Sequence, residues 1–179
     1  MLKITIPATE LWNEEAEEFM NIEEQTLELE HSLVSLSKWE SKWCKPFLSS
    51  NKSEEETMDY IRCMTLNKEV DDSVFAFIPA TEIERINNYI ESPMTATWFN
   101  NEQRGSRSSE QITSELIYYW MITLNIPFEC QNWHLNRLLT LVRVCNVKNQ
   151  PGKKMGKKAI LSQNAAINAA RRKQLHSKG

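Results

Sequence analysis

Glycine is scarce in this chain, with four in 179 residues and none before Gly105. Dinucleotide fingerprints and P-loops need closely spaced glycines so that phosphate can approach the backbone, so the first hundred residues carry neither. The four cysteines, Cys44, Cys63, Cys130 and Cys145, show none of the C-x-x-C spacing that holds zinc or runs redox chemistry. They read as reduced, structural residues of a reducing cytoplasm. No run approaches the ~20 apolar residues of a membrane-spanning helix, and the opening MLKITIPATE lacks the basic start and apolar stretch of a signal peptide. His31, His134 and His176 are the only histidines, none at ligand spacing from another. His134 lies near Cys130, but nucleophile and base are not arranged by local adjacency, and the flanking residues read as packing. These absences argue against an enzyme and imply no metal or cofactor.

Acid is missing from Lys148 onward, where nine basic residues stand alone. The rest keeps twelve of the 21 basic residues against all 24 acids, a net of −12. The two parts attract one another or find different partners. Residues 1–147 therefore read as a mostly helical globular domain, and 148–179 as a basic linker with a C-terminal segment that is helical or disordered. Hydrophobic residues make up 41% of the chain, enough at this length for a core without disulfides or metals.

The most apolar run, Ile112 to Asn146, looks like the organising stretch. Ile112, Leu116, Trp120 and Leu124 fall on a helical stripe thickened by Ile117 and Met121. Ser108 and Gln111 have capping-box spacing, and Pro127 ends the helix at about Asn125. Tyr118 and Tyr119 occupy positions that an exposed helix gives to charge, so the whole helix is expected to be covered. Asn132 caps a second helix with a stripe of Leu135, Leu138, Leu139, Val142 and Cys145. The two form a helical hairpin, with Phe128 and Trp133 sealing the joint. Trp120, Phe128 and Trp133 are either core packing or the aromatic anchors of a partner groove.

Leu2 to Ile6 and Gln25 to Glu30 alternate apolar with polar residues and can pair as a small antiparallel ladder. The acidic stretch between them reads as a solvated turn or short helix. Ser32 caps a helix stopped near Cys44 by Pro46, with Leu33, Leu36, Trp39, Glu40 and Trp43 on one side. Lys38, Lys42 and Lys45 surround the tryptophans, which suits stacking on single-stranded nucleic acid or core packing with snorkelling lysines. Nearby glutamates disfavour nucleic acid. Further helix starts fall at Ser53 with Glu56, at Asp71 or Asp72, and at Thr81 with Glu84. Met94 to Phe99 fits a strand or an ordered loop, and Asn100 to Ser109 a flexible loop. The fold class that results is mainly α, a helical domain with a small N-terminal antiparallel β element.

The order ITIP, LELEHSLVSLSKWESKWCKPF, MTATWF, ITSELIYYWMITLNIPFECQNWHLNRLLTLVRVCN, then KKM and NAAINAARRKQ, resembles small proteins of tailed bacteriophages associated with tail assembly chaperones. The resemblance spans most of the chain, and its most specific part is the IYYWM, IPFE and WHLNRLL block. It implies a protein that binds the long, largely helical tape-measure protein, keeps it soluble while tail-tube subunits assemble, and then leaves. Other phage tail proteins and a second copy of the chain are further partners. The alternatives are a virion component, such as a head-to-tail or tail accessory protein, and a regulatory nucleic-acid binder acting through the basic tail. No family binding residues carry over. On physical grounds the candidate partner-binding residues are Trp39, Trp43, Trp120, Phe128 and Trp133, with Lys153, Lys154, Lys157, Lys158, Arg171 and Arg172 as a second contact.

Overall fold

A computed structural model describes residues 1–13, 18–99, 111–149, 161–162, 164–168 and 171. The chain divides into two units, Met1–Cys145 and Asn146–Gly179. The first is mainly helical with an N-terminal antiparallel β element. In the second, the described residues from Leu161 to Arg171 are helical and exposed. The expected loop at 100–109 lies outside the described residues, as do residues 150–158 of the linker expected from Lys148 to Lys158; Lys148 and Asn149 are helical instead, because the helix that begins at Leu135 runs on through them.

Strand β1 (Leu2–Ile6) pairs with β4 (Gln25–Leu29), from Leu2 opposite Leu29 to Ile6 opposite Gln25. The alternation that predicted this ladder also orients it, since Ile4, Ile6, Leu27 and Leu29 are fully buried. Between them, β2 (Thr9–Asn13) pairs with β3 (Glu18–Ile22), which corrects the expected turn or short helix. The same register runs through both ladders, broken at Pro7, which has no N–H to donate. Pairing positions such as Leu11 opposite Met20 and Trp12 opposite Phe19 are made across the ribbon, so local periodicity did not reveal them.

Helix α1 (Leu33–Trp43) is the centre of the fold, packing on α2 (Glu54–Met64), on α4 (Ser114–Thr123) and on the 3-10 turn Phe128–Asn132. Ser32 and Ser35 cap it reciprocally: Ser32 Oγ accepts from Ser35 N at 3.2 Å, and Ser35 Oγ accepts from Ser32 N at 2.9 Å. Cys44 ends it in the left-handed region at φ 51°. Ser53 and Glu56 close the expected box on α2, and Asp71 caps a 3-10 turn, Asp72–Phe77, that buries Val74 and Phe75. Helix α3 (Ala80–Glu91) does not start at Thr81 with Glu84. Pro79 precedes it with φ −60°, and its carbonyl accepts from Glu82 N and Ile83 N, so the turn closes without a side-chain cap.

The 112–146 stretch differs most from expectation. Helix α4 begins at Ser114 behind Thr113, and Ser108 lies outside the described residues. Its buried face is Ser114, Ile117 and Met121, while Leu116, Trp120 and Leu124 are half-buried and Ile112 is exposed. The helix is not covered all round, because only one side faces α1. It ends near Asn125 as predicted, but Pro127 is not the whole cause. Asn125 is left-handed at φ 53°, Asn125 N donates to Ile122 O and Ile126 N to Met121 O, a Schellman closure. Helix α5 (Leu135–Asn149) is not capped by Asn132, which belongs to the 3-10 turn. Its first N–H groups go to His31 O at 2.7 Å and to His134 Nδ1 at 3.3 Å. Leu135, Leu138 and Val142 face the core as expected. Helices α4 and α5 do not lie along each other as a hairpin. Phe128 is 54% exposed, so it does not seal their joint.

Candidate functional site

The Trp39 and Trp43 cluster forms where α1 meets α2. Trp39 is fully buried, its indole N–H donating to Glu56 O at 2.8 Å, with Phe47 edge-on at 5.1 Å. Trp43 is half-buried and donates to Asp59 Oδ2 at 2.8 Å. Two of the three lysines that looked like a nucleic-acid surface are engaged by α2: Lys42 Nζ lies 2.5 Å from Asp59 Oδ1, and Lys45 pairs with Glu56; Lys38 is exposed. The hydrogen bond that Lys42 donates to Asp59 holds its ammonium above the usual range. Lys45 and the Ser53 N–H hold the Glu56 carboxyl below its own. Two acids of one helix thus bind two lysines of the α1 end, and Trp39 presents no ring to a ligand.

A second buried group joins elements far apart in sequence. The rings of His31 and His134 sit edge-to-face with centroids 5.0 Å apart, both nearly excluded from solvent. His31 Nδ1 shares a 2.5 Å hydrogen bond with the Tyr60 hydroxyl of α2. His134 Nε2 lies 2.9 Å from Tyr89 O in α3. A carbonyl only accepts, so Nε2 carries the proton, while Nδ1 accepts from Asn136 N. That fixes His134 as the neutral Nε2–H tautomer. Burial, with His134 beside it, pushes His31 down to about 3, and burial also lowers His134. Tyr60 is pushed up by burial. Tyr89 is raised by burial and by donating to Glu30 Oε1 at 2.6 Å. Every ring nitrogen with a recorded partner is spent inside the protein, so the cluster works as an interlock. Sequence reasoning missed it, and the only local signal was two histidines beside predicted helix starts.

Burial raises the Cys63 and Cys130 thiols, opposite to the direction a nucleophile needs. Among the described residues no group of three or more histidine, cysteine or acidic side chains is placed to hold a metal ion. No helix among them is long and apolar enough to cross a membrane.

The accessible part of the candidate set is on α4 and the turn after it. Tyr119 and Ile122 are 59% and 60% exposed, on the side of α4 opposite Ile117 and Met121. Phe128 is exposed in the following turn, which is tied to α4 by Tyr118 Oη donating to Gln131 Oε1 at 2.9 Å. Trp120 and Trp133 are half-buried against the core, and the Arg137 guanidinium lies 4.0 Å from the Trp133 ring centroid. Neither Tyr119 nor Ile122 was singled out as a binding residue, although both stood in the apolar run that was expected to be covered. Arg171 is exposed, whereas Lys153, Lys154, Lys157, Lys158 and Arg172 lie outside the described residues. Comparison with protein families, with curated proteins and with solved structures found no match to this chain.

Proposed function

We propose that this protein is a binding protein without catalysis, a tail assembly chaperone that holds an apolar helical segment of a bacteriophage tape-measure protein. The observation that carries the reading is the exposed side of α4, where Tyr119 and Ile122 face solvent on a helix otherwise built like a core element. Isolated exposed apolar residues need no explanation, but a stripe at i and i+3 on one helix presents a ridge that a second helix can pack against. Fully burying a side chain of this size contributes roughly 1.5–3 kcal/mol. Two or three such anchors suit a reversible chaperone contact. The tape-measure identity rests on the sequence resemblance.

Co-expression with helical fragments of the tape-measure protein tests the reading. The wild-type chain is expected to keep fragments soluble that precipitate alone, and the Tyr119→Lys, Ile122→Glu double variant to lose this while keeping its helical circular dichroism and melting transition. Failure of the wild-type chain to bind or solubilise any fragment overturns the proposal. A fixed stoichiometry in finished particles, measured by mass spectrometry, would instead make it a virion component.

A further inference from the structure

Trp98 is the most exposed large apolar side chain among the described residues, at 89%, yet it stands between held neighbours. Thr97 N donates to Thr95 Oγ1 at 3.1 Å, and on the other side Phe99 is half-buried under the Arg143 guanidinium of α5, 4.0 Å from the ring centroid. Arg143 is itself exposed and has no acidic partner among the described residues. From Ser92 to Phe99 and from Cys130 to Asn149 the sequence holds no acid. Trp98 is thus an apolar knob with a free cation over the next residue, and tryptophan and arginine are the side chains that most often anchor protein contacts.

A groove of complementary character lies on the same chain. Met58 of α2 and Ile83 of α3, both half-buried, give it an apolar lining beside Ser53 and Thr57, and its volume is about 340 Å³. That is near the lower end of the ~300–1,000 Å³ of ligand pockets, room for one aromatic side chain rather than for a helix. Its charge is negative. Glu54 lines it, Glu55 and Glu84 are exposed beside Glu54 and Ile83, and none of the three is paired with a cation among the described residues. Lys52, the one cation of the lining, is turned inward, donating to Phe47 O at 2.6 Å and to Ser50 O at 3.2 Å.

We propose that the occupant of this groove is a second copy of the chain, whose Trp98 enters between Met58 and Ile83 while its Arg143 meets the glutamates at the rim. Each copy carries both halves, so the contact runs head to tail and builds rings or open chains. One aromatic side chain buries roughly 150–250 Å², far less than the ~1,600 Å² of a standard interface. The association is therefore reversible and grows with protein concentration. It uses neither Tyr119 nor Ile122.

Sedimentation velocity of the full chain over a concentration series is the test. The wild-type average mass is expected to rise above that of the monomer as concentration increases. Trp98→Ala and Thr57→Arg, both at exposed positions, should each move that rise to concentrations at least about tenfold higher while keeping the wild-type melting transition. Trp98→Ala retains the groove and Thr57→Arg retains the knob, so mixing the two should restore association and stop it at pairs. Arg143→Glu should weaken assembly, and Glu54→Arg in the same chain should recover it. A monomer at every concentration would leave Trp98 to a different protein and overturn the proposal. Assembly of Trp98→Ala at wild-type strength, or failure of the two variants to pair, would overturn it too. The Tyr119→Lys, Ile122→Glu variant should assemble like the wild type; loss of assembly there would move the contact to α4 and sink the proposal, leaving the chaperone reading to its own test.

Discussion

Helices α1 and α4 are nearly equal in length and opposite in character. The first, LVSLSKWESKW, carries three serines, two lysines and a glutamate, yet it lies at the centre and buries Leu33, Leu36 and Trp39 completely. The second, SELIYYWMIT, is the more apolar and leaves Tyr119 and Ile122 in solvent. Average apolarity did not decide which helix the fold was built around. α1 is central because its polar side chains find partners at every side: Ser35 at the cap, Glu40 across to α4, Lys42 on α2. α4 is packed on one side only, and nothing in the described residues covers the rest.

The sharpest way to break this comparison is to truncate one aromatic on each helix. Trp39→Ala should cost about 3–5 kcal/mol, a buried indole and its hydrogen bond to Glu56 O being lost together. Tyr119→Ala should stay within about 0.5 kcal/mol. Urea unfolding of both variants checks the pair, and similar losses would mean that α4 is covered after all.

Glu40→Ala comes next, at about 2–3 kcal/mol, because the buried carboxylate accepts from Phe47 N at 2.8 Å and Ser114 N at 2.7 Å. Because Ser114 opens α4, the local opening free energy read by hydrogen exchange should fall more in α4 than in α2.

Acid should act at the interlock rather than at the α4 surface. His31 has a folded value of about 3 against 6.5 for the ordinary side chain. The unfolded chain therefore takes up its proton first. The stability contributed by neutral His31 is fully present above pH 6.5 and declines by roughly 1.4 kcal/mol per unit as pH falls from there towards 3. His134 shifts in the same direction. At pH 5 the loss from His31 is about 2 kcal/mol. Melting curves from pH 7.5 to 5 should show it, with His31→Gln giving a shallower slope.

The smallest contrast lies in the caps. Ser32→Ala removes one half of a reciprocal pair and should cost about 1 kcal/mol. Thr113 Oγ1 is 3.5 Å from Leu116 N, so Thr113→Ala should cost only a few tenths of that figure, within the resolution of paired denaturant titrations.

Where the determinants were local, the sequence was legible. The alternation of Leu2 to Ile6 and of Gln25 to Leu29, the boxes at Ser32 and Ser53, and Asp71 before its 3-10 turn all involve groups within four residues of one another. The face of α4 was misread because Leu116 and Ile117 are equally apolar, and only the position of α1 chooses between them. The α3 start was misread because a proline carbonyl did the work assigned to a hydroxyl. The β2–β3 ladder was hidden by its glutamates, which are poor strand formers and become strand residues through register with a partner. At the candidate site, Trp39 and Trp43 were legible as a pair on one helix face, but their acidic partners on α2 were not. Neither was the meeting of His31 with His134, which needs α5 to start against the end of β4.

The Glu40 carboxylate also has a meaning in time. It supplies Ser114 N with an acceptor from 74 residues earlier in the chain. Helix α1 carries both halves of its own start signal, whereas α4 gains this contact only after a long loop has closed. In folding kinetics α4 should therefore be the later helix. The Glu40→Ala change should appear mainly as faster unfolding, while Ser32→Ala slows refolding.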